Sequence, residues 1–575
     1  MHKRSKILLL ITLMILSGNH LAGQHIERYN TADCPQEKIE VHLAQESLFS
    51  GEILWFKIYI TSSLFPDEEL SSLVFIELVN SENASILRKK VLIDHGEAPG
   101  ELEIPDNLPT GIYYILAYTN WMKNFGELTF FSKKILIINP DQPLINTSNN
   151  PDSAGYKEAA AVINVAANKL QVYTDKKKYS TREKVTLKIE TNKFTGKVMS
   201  GDFSVSVSRK EPKMIFLTKN SPQEIKYKDP EKIIYLPDYN GIRLTGKIED
   251  PSGNIVAGAF VTESTPSSGT DIKSNIADSN GKFHFMLKPE EGEREIVITL
   301  PDGDTKMRLE ESFWNGFRDQ HDNPIFSLDG EAISYLREKF AQFQLQNMFK
   351  QKYATKKIPE RNLGDSSVFY SKPYQLIEFG NYINLDSLRE YFYELVPSVK
   401  FTRRRGEFLI SVIDPVTMET TNQKPGIFLD GVLYDNFEEI ANIPVRELDW
   451  MIVLPATYYY KDFTFGGIID IHTKKSDFNS VKLLPNMTRF VFPMADASEW
   501  KFLSPHYSIA DSLNRIPDFR YLLHWEPDIR IEDSGAVSVQ FYTGDVTGNF
   551  IIKVAGISAD GEHLQTEEEI YVDYH

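Results

Sequence analysis

Between Lys424 and Lys475 the chain reads KPGIFLDGVLYDNFEEIANIPVRELDWMIVLPATYYYKDFTFGGIIDIHTKK. This stretch limits the fold most, because short apolar runs alternate with residues that turn the chain. Ile427–Leu429 ends at Asp430-Gly431, a dipeptide that tolerates the positive φ angles of a tight two-residue turn. Asn436–Asn442 has helical character. A second buried strand is expected over Trp450–Leu454. Gly466-Gly467 then breaks the chain before a third strand, Ile468–His472, closed by Thr473-Lys474-Lys475. The expectation is a small α+β module with a largely buried sheet.

This order resembles the plug domain of TonB-dependent outer-membrane receptors. The resemblance marks Asp430, Gly431, Gly466, Gly467, Thr473, Lys474 and Lys475 as its motif. In that family a membrane barrel follows the plug, and a barrel needs many alternating strands of about ten residues each. The residues after Lys475 do not alternate over enough strands, so a plug-like module without a pore is expected. Just before it, LREYFYELVPSVKFTRRRGEFLISVID gives a helix over Leu385–Val396, with Asp386 near its N-terminus and Pro397 ending it. A hairpin follows with Arg403, Arg404 and Arg405 at its tip. This segment resembles text that precedes the plug motif in barrel-less exported proteins of Bacteroidetes. The arginines are read either as a solvated tip or as a docking point for an acidic partner or lipid phosphate.

The remaining chain is organised around that module. Its 575 residues exceed one core, so several domains are expected. Aromatic residues make up 12%, which suits β-rich cores. The formal net charge of −17 argues against a nucleic-acid partner, which would want a basic face. Residues 1–23 read as a signal peptide: Lys3, Arg4 and Lys6 precede the apolar Ile7–Leu16, and Leu21-Ala22-Gly23 offers a cleavage site before Gln24. No later stretch is long and apolar enough to span a bilayer as a helix. Cys34 is the single cysteine, so no internal disulfide is expected in an exported protein.

Residues 24–140 show short strands at regular spacing, with alternation at Ile112, Tyr114, Leu116 and Tyr118. Leu48-Phe49-Ser50-Gly51-Glu52, Trp55-Phe56-Lys57 and Gly111–Met122 resemble a macroglobulin-type sandwich, with Trp55 and the tyrosines expected between its sheets. Residues 141–165 read as a linker. Residues 166–240 look like a loose repeat of the first sandwich. Residues 241–302 carry Gly246, Asp250, Gly253, Gly258-Ala259, Val261, Asp278, Gly281 and Phe283, the frame of a carboxypeptidase regulatory-like domain. That domain is non-catalytic, and its Asp250–Gly253 and Asp278–Gly281 segments are read as hairpin turns. Residues 303–370 form a helical connector, with Ile333, Leu336, Phe340, Phe343 and Phe349 near helical spacing. The plug-like module occupies 371–478. Residues 479–575 again resemble a macroglobulin-type sandwich. The fold class is therefore mainly β and multi-domain: tandem macroglobulin/Ig-like sandwiches plus one small α+β module.

No metal-ligand spacing, phosphate loop or nucleophile motif occurs, so no catalytic residue, metal or cofactor is assigned. Cys34-Pro35-Gln36-Glu37 is not the Cys-Gly-Glu-Gln thioester of an alpha-macroglobulin protease trap. What the resemblances imply is an exported, periplasmic or outer-membrane-associated scaffold whose plug-like module contacts a protein partner. A binding module for a glycan or peptide is the alternative.

Overall fold

The computed structural model describes residues 35–62, 71–142, 157–158, 169–191, 200–212, 215–218, 233–239, 241–267, 269–301, 305–315, 325–327, 330–349, 354–356, 368–370, 375–382, 385–404, 407–421, 423–507, 516–532 and 535–574. The signal-like segment, Cys34 and most of the linker lie outside them. The fold is mainly β, as the turn spacing implied.

The first sandwich packs a three-stranded sheet (Glu37–Leu43, Ile53–Ser62, Glu97–Glu103) on a five-stranded one (Ser47–Phe49, Phe131–Ile138, Gly111–Tyr118, Leu73–Asn80, Ser85–Leu92). A sheet with one wet face alternates in burial. Ile53–Ser62 does not: nearly every residue is buried. Leu54, Phe56 and Ile58 face the sandwich core. Trp55 points the other way and packs with Ala44, Leu522 and Trp525, so it fills a seam with a neighbouring module, not the space between its own sheets. Gly111–Tyr118 behaves alike: Tyr113, Ile115 and Ala117 enter the core, whereas Ile112, Tyr114 and Leu116 form a separate buried cluster with Val79.

The expected second and last sandwiches, 166–240 and 479–575, are one module. Gly201–Arg209 lies in a sheet between Leu522–Ile531 and Gly548–Ser558. Lys184–Thr191 pairs with Ala536–Tyr542. Each half alone is a partial sandwich with open edges and an uncovered apolar face. Joined, they enclose Val185, Leu187, Phe203, Val205, Leu523, Ile552 and Val554, all fully buried. Fully burying each such side chain is worth about 1.5–3 kcal/mol, which is why the halves close on each other.

A third module lies between these halves in sequence. Its sheets are Ile242–Glu249 with Lys282–Leu287 and Lys306–Leu309, and Phe260–Ser264 with Ile272–Ile276, Glu293–Thr299 and Met487–Pro493. It thus extends past residue 302 and borrows a strand from the C-terminal region. The Asp278–Gly281 turn is not a hairpin turn, because Ile272–Ile276 and Lys282–Leu287 belong to different sheets. After Asp250–Gly253 the chain makes a single bridge, Glu249 to Ile255. Between Lys306–Leu309 and Met487–Pro493 the chain forms the helix Gly330–Met348 and an insert module. That helix sets Leu336 and Ala332, with Ile333, Phe340 and Phe343, on Phe49, Leu136 and Ile138 of the first sandwich, and leaves Phe349 exposed. The architecture is nested: the composite sandwich encloses the third module, which encloses the insert.

Candidate interaction site

The insert is built on a five-stranded sheet ordered Gln375–Glu378, Leu448–Leu454, Ile468–Thr473, Gly426–Leu429, Val432–Leu433. Alternation decides its two faces. Ile377, Ile427, Leu429, Met451, Val453, Ile469 and Ile471 face the helices Leu388–Leu395 and Phe437–Ala441. Phe428, Ile452, Leu454 and Ile468 face the other way and pack with Ile272 and Phe260 of the third module and with Tyr370. The first helix begins later than expected. Ser387 is its cap, accepting from Glu390 N, while the Asp386 amide donates to Glu390 Oε2. Glu390 thus reaches one residue past the cap, a variant of the capping box in which the amide before the cap is the one satisfied.

The Asp-Gly turn connects paired strands, with Asp430 at φ 48° and Gly431 at φ 83°. Its role extends beyond turning. Asp430 is fully buried, and its carboxylate accepts from Thr473 N at 2.7 Å, Thr473 Oγ1 at 2.8 Å and Phe478 N at 3.0 Å. Burial raises its carboxyl above the usual range, against the opposing pull of these bonds. A Cβ at Gly431 would stand 2.6 Å from Gly269 O and 2.8 Å from Thr265 O. Asp430 O in turn accepts from Ser267 N at 3.0 Å. The turn therefore rests directly on the third module. Gly466 lies against Gln423 O, where a side chain would clash, and Gly467 has φ 110°. Lys474 donates to Arg446 O at 2.8 Å, and Lys475 is exposed. Most of the motif residues thus turn, cap or dock the module.

Arg403 and Arg404 sit in the strand Val399–Arg404, opposite Phe408 and Glu407 of the strand Glu407–Val412. The hairpin forms, but Arg403 and Arg404 are paired strand residues and not its tip, because the pairing runs on to Arg404; Arg405 lies outside the described residues.

Sequence reading missed a buried polar cluster at the joint. Asp470 and His472 are both fully buried. Asp470 Oδ2 accepts from Thr270 Oγ1 at 2.6 Å and Tyr370 OH at 2.5 Å. Asp470 Oδ1 lies 3.1 Å from His472 Nε2, and Trp450 stacks on the imidazole at 3.8 Å. Thr270 comes from the third module, so the cluster fastens one module to another. It has the residue types of a hydroxyl relay but the wrong wiring. Thr270 Oγ1, at 3.4 Å, and Asp470 both meet the same ring nitrogen, Nε2, whereas a relay needs the carboxylate on the opposite one. The five-residue stretch IDIHT carries the only signal: acidic and imidazole groups alternating with isoleucines in a strand buried on both faces.

A second feature is a cleft of about 740 Å³ between the first sandwich and the third module, walled by Tyr235, Phe313, Trp314, Glu310 and Glu311. Burial shapes its floor. It pushes Lys123 down to about 8 and Asp238 up to about 6. Lys123 Nζ lies 4.5 Å over the Phe75 ring and donates to Asn120 Oδ1 and Ser312 O. Among the described residues no cluster of three or more His, Cys, Asp or Glu could hold a metal ion, and no helix is long and apolar enough to cross a membrane.

No family model matches the sequence, and no curated protein matches it. Among solved structures, Salmonella alpha-2-macroglobulin reacted with methylamine is similar at 10% identity, over 96% of this chain and 41% of that one, with a TM-score of 0.24. Escherichia coli alpha-2-macroglobulin activated by porcine elastase gives 9%, 94%, 44% and 0.24. The Escherichia coli adhesin FdeC gives 10%, 51%, 65% and 0.15. The chain spans about four-tenths of the length of those macroglobulins. Scores of this size carry no argument about activity or partners.

Proposed function

We propose that this protein is an exported, non-catalytic scaffold that presents its insert module to a protein partner in the periplasm or at the outer membrane. The observation that carries this reading is the division of labour between the insert's two sheet faces. One face is spent on docking to the third module. The other is covered by helices and turns that still expose large apolar groups: Tyr393 is 83% exposed, Val416 89% and Met418 76%. Val416 and Met418 sit on the turn Asp414–Glu419, which is tied by Met418 N to Asp414 O at 2.8 Å and Asp414 N to Glu419 O at 2.9 Å. A tied turn holding apolar groups in water suits contact with another protein. The resemblance to receptor plugs, which meet barrel and periplasmic proteins, points the same way. After the insert, the chain supplies a strand to the third module and then completes the composite sandwich.

The test is recovery of partners from mildly solubilised envelopes with wild type and a Tyr393→Ser, Val416→Ser, Met418→Ser variant. The expected result is loss of one partner band with an unchanged melting curve. Equal recovery would remove the insert as the contact site. N-terminal sequencing of the exported form should begin near Gln24.

The cleft between the first sandwich and the third module favours a second reading, a glycan or peptide site, because its wall combines aromatic rings with carboxylates. Saturable binding on glycan or peptide arrays, lost on Tyr235→Ala, would support it.

A further inference from the structure

The first sandwich turns the outer face of Glu37–Leu43 and Ile53–Ser62 onto the composite sandwich. His42 stands in this seam, 2% exposed. Its Nδ1 lies 2.6 Å from Ser204 Oγ and its Nε2 3.0 Å from Ser206 Oγ, both on the strand Gly201–Arg209. Trp525 meets the ring edge-on at 5.2 Å. Tyr59 OH adds hydrogen bonds to Ser204 Oγ at 2.8 Å and Ala555 O at 3.0 Å. The polar grip between the two sandwiches at this point is a neutral imidazole between two hydroxyls.

The surroundings are hostile to a charged ring. Lys57 lies directly across the strand pair. Lys553, Lys133 and His563 act on His42 from three further strands, all in the unfavourable direction. The neighbouring carboxylates serve other cations. Glu46 is 2.6 Å from Lys133 and 3.8 Å from Lys553, and Asp528 and Glu97 are 2.8 and 3.1 Å from Lys57. Glu567 acts on Lys553 and Glu40 on His563. Among the described residues no carboxylate hydrogen-bonds to His42. The serine hydroxyls can turn to accept from an imidazolium, but they cannot neutralise it. Burial and these cations hold the imidazole well below its ordinary range.

We propose that the seam between the first sandwich and the composite sandwich is an acid-sensitive joint: when His42 takes a proton the two modules part while each stays folded. Separation gives the imidazolium water, which removes both the desolvation and the repulsion. A single proton taken up on opening raises the opening constant about tenfold per pH unit below the free imidazole range, about 6.5.

Ala44, 3% exposed and packed in the same seam with Leu522 and Trp525, is a suitable reporter. The full mature chain carrying Cys34→Ser and Ala44→Cys would be labelled with 4,4′-dithiodipyridine from pH 7.5 to 4.5, each rate divided by that of a small model thiol. The expected result is a rate rising about tenfold per pH unit below about 6.5, with unchanged far-ultraviolet dichroism. Adding His42→Gln, which keeps an amide hydrogen-bonding group but cannot charge, should flatten the profile. A flat profile with His42 present, or the same rise with His42→Gln, overturns the proposal. If His42→Gln labels quickly at every pH, the decision passes to Lys553→Gln, which removes one facing cation. There the rise should still begin near the free imidazole range but level off at a higher pH, because the closed seam tolerates the charge better without Lys553. A rise that levels off no earlier than with Lys553 present overturns the proposal.

Discussion

The first sandwich has two neighbours, and the polar groups trapped against each differ in kind. Toward the composite sandwich they are His42, Tyr59 and Lys57. Toward the third module they are Asp238, Arg243, Lys123 and Lys90, where Ser72 N donates to Asp238 O at 3.0 Å and Lys90 Nζ to Pro493 O at 2.8 Å. Burial disfavours charge in both places, but the consequence depends on the group. A buried histidine held below its unfolded value stabilises above about pH 6.5 and loses that stability as pH falls. A buried carboxyl held above its unfolded value does the reverse. Asp238, pushed up to about 6, contributes stability that is full below its ordinary 3.8 and lost as pH rises through 6. Glu37, pushed up to about 7 by burial, acts the same way. The protein therefore has one acid-labile seam and one acid-tolerant seam on the same module.

The largest expected effect comes from removing the floor of the labile seam. Phe203→Ala in the composite core should cost about 3–5 kcal/mol. Hydrogen exchange should then speed up together in Gly201–Arg209 and Gly548–Ser558, since they share one sheet. Next is the insert's own anchor. Asp430→Ala leaves three buried donors unpaired and should cost about 2–4 kcal/mol within the insert, by thermal melt. Exchange at both seams of the first sandwich should stay as in the wild type.

The pH slopes are smaller but carry the contrast. Each group accounts for up to about 1.4 kcal/mol per pH unit while its folded and unfolded forms differ in protonation. His42→Gln should flatten the fall in stability on acidification below about 6.5. Asp238→Asn should flatten the opposing fall as pH rises from 3.8 toward about 6. Two variants with the same slope change would break the comparison. The smallest effect belongs to the hairpin. Changing Arg403, Arg404 and Arg405 together to Ser should shift stability by under about 0.5 kcal/mol, the ordinary size for surface substitutions. A loss of partner recovery that is largest at low salt and shrinks as salt rises would assign the arginines to the contact.

Local structure was legible in the sequence where local chemistry decides it. Ile427–Leu429, Trp450–Leu454 and Ile468–His472 are strands, and Asn436 caps a helix at Phe437–Ala441, because apolar spacing and cap residues act over a few positions. The Gly330–Met348 helix and its buried Leu336 follow from the same spacing. Pairing was not legible. Nothing in Gly201–Arg209 says that its partners lie beyond residue 520, since period-2 alternation marks a strand without naming its neighbour. Trp55 shows the same limit: a strand buried on both faces gives no sign of which face belongs to which module. The joint cluster of Thr270, Tyr370, Asp470 and His472 draws on three separated segments, so no single stretch of sequence encodes it.

The central claim is that two distant halves of the chain make one sandwich. Lys188 and Ser538 are exposed register partners across its sheet. In a Cys34→Ser background, Lys188→Cys with Ser538→Cys should form an intramolecular disulfide under mild oxidation, seen as a faster-migrating band without reductant. The account predicts near-complete closure for this pair and little for Lys188→Cys with Ser504→Cys. No closure of the register pair, with both thiols freely labelled in the folded protein, would mean two separate sandwiches and would contradict it.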